Sequence, residues 1–401
     1  TTSTNVGLGN TLDALGNNAT GQLAMVMTDL LLRTSEERTL ALKRMAPETS
    51  QALGQSAVNT SVAALDTVQV RLDSVRTGVG MNNAAHYDAD VDDKDAAATK
   101  LKATNLASWD GHGSDAEGMS AGNDFLNRNL WLKAFGGKAS HDAKNGFAGS
   151  DDSIYGTMLG YDTGIGGWLV GAAFGYARTN VKLDDYRSGD GADIDTYQLT
   201  GYFGRSFGSW YLNGMFTYAA QDYRTNRNTH MTGVAMGDFN GDLYGLRVLA
   251  GMPIAMRSGF TVTPYGGIEV NYIKQDAYTE TGAGALSLNV ASNAVYRVRS
   301  MFGAEVSTLK KLDNGTVIHP SVKLNWRHEF NDDGVNTTTS LVGGGGQFET
   351  IGQVINRDVY GLSARLTWER TEAMNVSFEL GTEGGSGYSS YSGQVMTDWR
   401  F

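Results

Sequence analysis

The sequence predicts an all-β fold: a transmembrane antiparallel β-barrel of about 12 strands, with an N-terminal α-helical segment part of which lies in the lumen. Three observations predict it. Apolar residues alternate with small or polar residues from position 129 to position 401. The alternating runs are mostly about 11–16 residues long, whereas soluble strands average about 5–6 and tilted membrane strands need about 9–11. Short connections alternate with longer ones along the chain, as in outer-membrane barrels.

Composition narrows the possible classes of protein. The 401 residues include 52 Gly, 4 Pro and no Cys, and the formal net charge is −11 from 32 basic and 43 acidic residues. The lack of cysteine excludes a disulfide framework and a thiolate metal site. No apolar run reaches the roughly 18 residues of a spanning helix, and the first residues do not resemble a signal peptide. The acidic balance argues against nucleic-acid binding.

Residues 1–78 are predicted to be helical, as the region that joins an upstream segment to the barrel. Thr34 followed by Glu37 forms a capping-box pattern for a helix that ends near Met45. Pro47 suits the first turn of the next helix. Helical spacing is kept by two sets of apolar residues: Leu23, Val26, Met27, Leu30 and Leu31, then Val58, Val62, Leu65, Val68, Leu72 and Val75.

Residues 79–128 have the composition of a polar linker, with an acidic run from Asp88 to Asp95. Two stretches could supply a helix inside the barrel. One is a short helix between Asp92 and Leu106, which is preferred because its polar character suits a charged lumen. The other is the long helix from Pro47 to Thr77, in which case the linker loops below it.

Residues 129–401 form the predicted barrel. In the run from Gly167 to Arg178, one face carries Trp168, Val170, Ala172, Phe174 and Tyr176, while the opposite face carries smaller residues. The same alternation puts charged side chains on the inward face of several strands. The candidate pore-lining residues are Lys133, Arg247, Glu269, Arg297, Arg299, Glu305, Lys323, Arg327 and Arg365. They could contact a polar segment in transit, or form ion pairs along a water-lined wall.

The connections suggest an orientation. Short turns are predicted near residues 163–166, 205–209, 253–258, 310–315 and 370–373, and longer loops near residues 140–152, 181–191, 223–240, 276–292 and 331–356. The loop at 331–356 could hold an extra hairpin. Long loops are expected outside the cell and both barrel ends on the periplasmic side. Aromatic residues near the two rims are candidates for interfacial girdles: Trp131, Trp168, Trp210, Trp368 and Trp399 on one side, Tyr176, Tyr218 and Tyr296 on the other.

The last strand alternates Tyr391, Val395 and Trp399 and stops at Phe401, which resembles the signal read by the outer-membrane barrel-assembly machinery. Other segments add to a broader resemblance. They are Leu130-Trp131-Leu132-Lys133-Ala134-Phe135-Gly136-Gly137, Gly160-Tyr161-Asp162, Gly175-Tyr176, Tyr202-Phe203-Gly204, Pro264-Tyr265-Gly266-Gly267 and Trp399-Arg400-Phe401, with Ala46-Pro47-Glu48 upstream. In this order they resemble the translocator (β) domain of type V secretion autotransporters over roughly residues 40–401.

The resemblance implies a function and a set of partners. Such a domain sits in the bacterial outer membrane, moves an N-terminal passenger to the cell surface and anchors it there. The implied partners are outer-membrane lipid, the barrel-assembly machinery and the upstream passenger, and a closed barrel makes a monomer the default. The alternative is a porin-like channel gated by its N-terminal helices.

An enzyme whose active site lies in the long loops is a third possibility, and the sequence argues against it. Gly204-Arg205-Ser206-Phe207-Gly208 matches a nucleophile elbow, but it falls in a turn between two strands. Asp238-Phe239-Asn240-Gly241-Asp242 begins like a calcium loop but lacks the Gly and the acid that should follow. The six His residues show no zinc spacing. No catalytic residue, metal or cofactor is therefore expected.

Overall fold

The computed structural model describes residues 6–76, 128–331, 334–353, 356–371 and 373–401. The helices in this part of the chain are α1 (Val6–Leu15), α2 (Gly21–Leu32), α3 (Ser35–Met45) and α4 (Glu48–Arg76), with 3₁₀ turns at Gly16–Asn18, Asp185–Arg187 and Gly284–Leu286. None of the described helices is both long enough and apolar enough to cross a membrane. The linker and its candidate helix Asp92–Leu106 lie outside the described residues.

Twelve long antiparallel strands form the barrel wall, so the predicted fold class and strand number are confirmed. They are β1 (Arg128–His141), β2 (Ser150–Ile165), β3 (Trp168–Leu183), β4 (Gly191–Phe207), β5 (Trp210–Asn228), β6 (Val234–Gly251), β7 (Phe260–Gln275), β8 (Asn293–Thr308), β9 (Val317–Glu329), β10 (Asp358–Thr371), β11 (Met374–Gly385) and β12 (Tyr388–Arg400). Each pairs with its neighbour in sequence. The barrel closes where β12 pairs with β1, from Asn129↔Arg400 to His141↔Tyr388.

The strands extend past the length that a bilayer requires, mostly at the end with the long loops. The 19 residues of β5 and the 18 of β6 reduce the connection expected at 223–240 to residues 229–233. The hairpin suggested within 331–356 is present, but it lies outside the wall. It belongs to a small sheet whose strands, in spatial order, are Phe348–Thr350, Thr337–Leu341, Leu288–Val290 and Tyr278–Thr279. Two-residue strands at Ile254–Ala255 and Lys310–Lys311 pair near the opposite rim.

The alternation of the sequence becomes two faces of the wall. On β3, Leu169 and Ala173 are buried against the lumen, whereas Val170 and Phe174 are exposed on the outside. Apolar side chains on the outer face of an isolated barrel are the ones that lipid covers.

Trp131 was predicted to belong to a girdle, and this prediction was wrong: its side chain is fully buried inside the barrel. It has the same parity on β1 as Lys133, which also points inward. The facing residue is Gly160 on β2, and a Cβ added there would overlap the indole ring. A glycine is therefore required to admit so large a ring at this point of the lumen.

Candidate functional site: the occupied lumen

Helix α4 lies inside the barrel. Its 29 residues, at about 1.5 Å per residue, are long enough to run through the wall's full height. It contacts β2 to β7, and its apolar residues pack against buried side chains of the barrel wall. One cluster combines Ala64, Leu65, Val68, Val70, Leu72 and Val75 with Trp131, Met158, Leu169, Ala173, Tyr202, Met215 and Met396. The helical spacing predicted for residues 58–75 is thus explained by packing within the lumen.

At the long-loop end, hydroxyl groups of α4 bind polar side chains of the wall. Ser56 Oγ donates to Asp152 Oδ2 at 2.7 Å, and Thr60 lies 3.0 Å from the hydroxyl of Thr179. Ser61 Oγ donates to Asn271 Oδ1 at 2.7 Å. Buried polar groups are tolerated only when they find such partners, so these contacts fix how the helix is rotated in the lumen.

Halfway down, the carboxylate of Asp66 faces a cationic part of the wall. Arg247 Nη1 donates to Asp66 Oδ1 at 2.6 Å, and the same guanidinium pairs with Glu269, a fully buried neighbour on β7. Arg327 lies 4.0 Å from the other Asp66 oxygen and also pairs with Glu383. Each buried charge therefore has a partner of opposite sign.

Near the short turns, Arg71 of α4 contacts carboxylates on two strands of the wall, β2 and β12. Its Nε and Nη2 donate to the two oxygens of Asp162 on β2 at 2.7 and 2.8 Å. Nη1 lies 3.3 Å from Asp398 on β12. Tyr202 also donates to Asp162 at 2.9 Å, and Trp131 Nε1 donates to the Tyr202 hydroxyl at 2.7 Å. One arginine of the helix thus binds β2 and β12, the two strands that lie on either side of β1.

Asp73 lies two turns beyond Asp66 on α4 and faces another cationic group. Lys323 Nζ is 3.5 Å from Asp73 Oδ2, and Arg365 Nη2 is 3.8 Å from the same oxygen. Glu305 lies 3.4 Å from Arg365 and 3.9 Å from Arg76, the last residue described in α4. Alternating signs along this side allow the charges to remain buried together.

All nine candidate pore-lining residues point inward. Lys133 Nζ donates to the Thr67 carbonyl at 3.2 Å, Arg297 Nη1 donates to the Asn331 carbonyl at 2.7 Å, and Arg299 Nε lies 3.3 Å from Glu269. The others have the partners given above. Sequence reasoning missed the complementary residues: Asp66, Arg71 and Asp73 on α4, and Asp162 and Asp398 on the wall. The parity of Asp162 and Asp398 on their strands could have indicated them.

The candidate assembly-signal residues Tyr391, Val395, Trp399 and Phe401 have the parity of the outer face of β12. Tyr391, Val395 and Phe401 are exposed there. The nucleophile-elbow pattern falls at the β4–β5 turn, as its sequence context indicated, and residues 238–242 lie within β6. Among the described residues, no three His, Asp or Glu side chains are grouped so that they could bind a metal ion.

Helices α1 to α3 pack on the long-loop end of the barrel and form a cap with several of the loops. The apolar core of this cap consists of Leu8, Leu12, Leu23, Val26, Leu30, Ala41, Met45, Ala235, Ala283, Leu286, Leu288, Val290, Leu341 and Phe348. The capping box at the start of α3 is present. Glu37 accepts from the Thr34 backbone at 2.9 Å, which holds the pKa of Glu37 below its ordinary value.

Two buried arginines from the barrel bind the C-terminus of α3. Arg187 donates to the carbonyls of Lys43, Arg44 and Ala46 at 2.5, 2.9 and 2.5 Å. Arg227 donates to the Met45 carbonyl at 2.9 Å and pairs with Glu280. Carbonyls at a helix C-terminus lack partners within the helix and carry partial negative charge, so a guanidinium suits this position.

A closed 12-stranded barrel with an exposed apolar outer face and a helix through its lumen defines the class: an outer-membrane translocator-type barrel. Residues 130–381 match the family model described as "Autotransporter beta-domain", and the chain belongs to this family. It is an outer-membrane β-barrel with a translocator function.

Two known proteins are similar in sequence to parts of this chain. Outer membrane protein B of Rickettsia prowazekii is 24% identical over 89% of this chain and 23% of its own length. "Probable autotransporter YpjA" of Escherichia coli is 26% identical over 52% of this chain and 13% of its own length. The chain thus spans less than a quarter of the length of these relatives.

Solved structures share the fold. The translocator domain of NalP from Neisseria meningitidis has a TM-score of 0.56 at 19% identity, covering 69% of this chain and 90% of that chain. The beta domain of the Bordetella autotransporter BrkA has a TM-score of 0.53 at 16% identity, covering 69% of this chain and 100% of that chain.

Proposed function

We propose that this domain exports an upstream passenger polypeptide through its lumen and then anchors it at the cell surface. The observation that carries the proposal is the path of α4, which is bound to the wall at the long-loop end through Ser56 and at the short-turn end through Arg71. The polypeptide upstream of α4 therefore lies on the long-loop side and the strands begin on the other side. A chain that has passed through the lumen would have this arrangement.

The finer assignments follow from this path. The long loops and the cap are extracellular, and both barrel ends are periplasmic. The barrel-assembly machinery reads the strand that carries Tyr391, Val395, Trp399 and Phe401. The domain is a monomer with no enzymatic activity of its own. The nine inward charges hold a polar segment in the lumen.

The orientation can be tested with single cysteines, because these 401 residues contain no Cys. We expect a membrane-impermeant maleimide to label S188C, in the β3–β4 loop, on whole cells. N314C, in the β8–β9 turn, should react only after the outer membrane is opened. Labelling of N314C alone on intact cells would reverse the proposed orientation.

Single-channel conductance separates a translocator from the porin-like alternative. The full chain should give a small conductance, because α4 occupies the lumen, and a chain that starts at Gly122 should give a conductance several-fold larger. A chain that starts at Pro47 is the matched control, since it loses the cap but keeps α4, and it should stay low. Equal and large conductance in all three would favour a gated channel.

A further inference from the structure

Helix α4 does not fill the lumen. It packs on β2 to β7, and a cavity of about 280 Å³ remains between α4 and the opposite wall. Small residues account for the empty space. Four small residues stand side by side on neighbouring strands: Ser363 on β10, Gly381 on β11, Ser392 on β12 and Gly137 on β1. Each is paired in register with the next. Side chains this short leave a pocket beside the helix.

The cavity has a floor and a mouth. In the next inward row toward the short turns, Arg365 Nε lies 3.1 Å from Glu379, which accepts from Gln394 Nε2 at 2.8 Å. Below them Arg71, Asp73 and Arg76 lie in the lumen with Asp162, Asp398 and Glu305, and none of these six residues lines the cavity. Residues of the long-loop rim surround its other end, among them Lys144, Asn356, Ser386 and Gly387. It is therefore a blind vestibule that opens at the long loops.

The electrostatic character of the vestibule is opposite to that of the chain. Nine Lys or Arg and six Asp or Glu residues line it, a surplus of three positive charges, whereas the whole chain carries −11. Arg299, Lys323 and Arg327 present long cationic side chains from β8 and β9. Asp66, Glu379 and Glu383 also face the space and neutralise part of this charge.

Several buried side-chain donors of residues that line the vestibule have no hydrogen-bond acceptor among the described residues, and Arg327 Nε is one of them. The Arg327 side chain is only 5% exposed, and its Nε has no hydrogen-bond partner among the described residues. A buried guanidinium N–H without an acceptor costs free energy, which a bound anion would recover. Guanidinium groups bind the oxygens of phosphate-type anions with matching geometry.

We propose that this vestibule is a binding site for a small phosphate- or sulfate-type oxyanion that enters from the long-loop side. The anion lies between α4 and the β8–β9 wall and accepts hydrogen bonds from Arg327, with Arg299 and Lys323 supplying further charge. The inference goes beyond export and does not depend on it, because binding is measured on the chain at rest with α4 in place.

The test is isothermal titration of the refolded full chain with sodium pyrophosphate at constant ionic strength. We expect saturable binding, unchanged in K311Q, a control on an exposed strand near the short turns. R327Q should weaken binding roughly tenfold or more, the effect of losing a charged hydrogen bond. Because Arg327 also pairs with Glu383 and Asp66, the second variant is S363L, which fills the space without changing any charge and should abolish binding.

The proposal fails if the full chain releases no binding heat. It also fails if S363L, shown by circular dichroism to be folded, binds as well as the natural chain. Equal weakening in K311Q and R327Q would mean that pyrophosphate associates with surface charge alone, which would likewise overturn a vestibule site.

Discussion

Replacing Arg71 with methionine is expected to cost about 3–5 kcal/mol of unfolding free energy, the loss typical of breaking a buried ion pair from one side. Arg71 is 1% exposed, and its two partners Asp162 and Asp398 are also buried, at 0% and 4%. Without the guanidinium, both carboxylates remain in the lumen with no cation from the helix. Urea unfolding of the refolded chain, followed by tryptophan fluorescence, measures the loss, and Trp131 lies within the same hydrogen-bonded group.

Arg33 provides the matched control. It pairs with Asp29 at 2.7 Å on α2, but the two side chains are 34% and 48% exposed, so R33M should cost about 0.5 kcal/mol or less. A second arm removes the buried charges together: R71M with D162N and D398N should recover much of the stability, because no carboxylate is then left without a partner. If R71M costs no more than R33M, Arg71 does not hold α4 to the seam.

The faces of the strands could be predicted because a period of two is a local property of the sequence. Once Leu130 and Leu132 are assigned to lipid, the chain geometry leaves Lys133 no choice but the lumen. The same rule should have placed Trp131 inside. Its aromatic character suggested a position at the membrane–water interface instead. The ring lies in the lumen because Gly160 leaves the space for it there. Parity was the stronger evidence.

The partners of the lumenal charges could not be predicted, because they are far apart in sequence. Arg71 is 91 residues from Asp162, and Arg247 is 181 residues from Asp66. The alternation of apolar and polar residues identifies an arginine that points inward from a strand. It does not identify the turn of the helix that lies opposite that arginine. Polar character favoured Asp92–Leu106 as the lumenal helix, and that segment lies outside the described residues. The lumen holds α4, a helix with an apolar side that packs on buried side chains of the wall and with Asp66 and Asp73 placed opposite arginines of the wall.

The cap could not be predicted from the sequence for a related reason, because its contacts also join residues that are far apart along the chain. The apolar spacing of α2 predicted a buried face, and Leu23, Val26 and Leu30 are indeed buried, while Leu31 is 73% exposed. The surface that buries them is built from loops whose conformation no short pattern encodes. From the sequence alone Arg187 and Arg227 resemble ordinary loop and strand arginines, yet each is almost fully buried. Only the structure shows that both arginines bind the C-terminal carbonyls of α3.

Replacing Arg187 with methionine is expected to release the end of α3 from the barrel. Three carbonyls, those of Lys43, Arg44 and Ala46, lose their donor, and Asp190 loses the cation 3.1 Å away. Hydrogen bonds to a charged group contribute about 1.5–3 kcal/mol each, so we expect a loss of about 3 kcal/mol or more. Lys43 and Arg44 are themselves trypsin sites, and cleavage there should become roughly 100-fold faster, because proteolysis follows the population of the opened state.

Arg224 is the control for this result, since it projects from the outer face of β5 and its side chain is 52% exposed. R224M should change stability by about 1 kcal/mol at most and leave cleavage after Lys43 and Arg44 as slow as in the natural chain. Mass spectrometry of the first fragments identifies the sites. If R187M and R224M were cut equally slowly there, the apolar core of the cap would hold α3 without the arginine. Fast cleavage in R187M alone would show that a barrel loop fixes the helix that leads into the lumen.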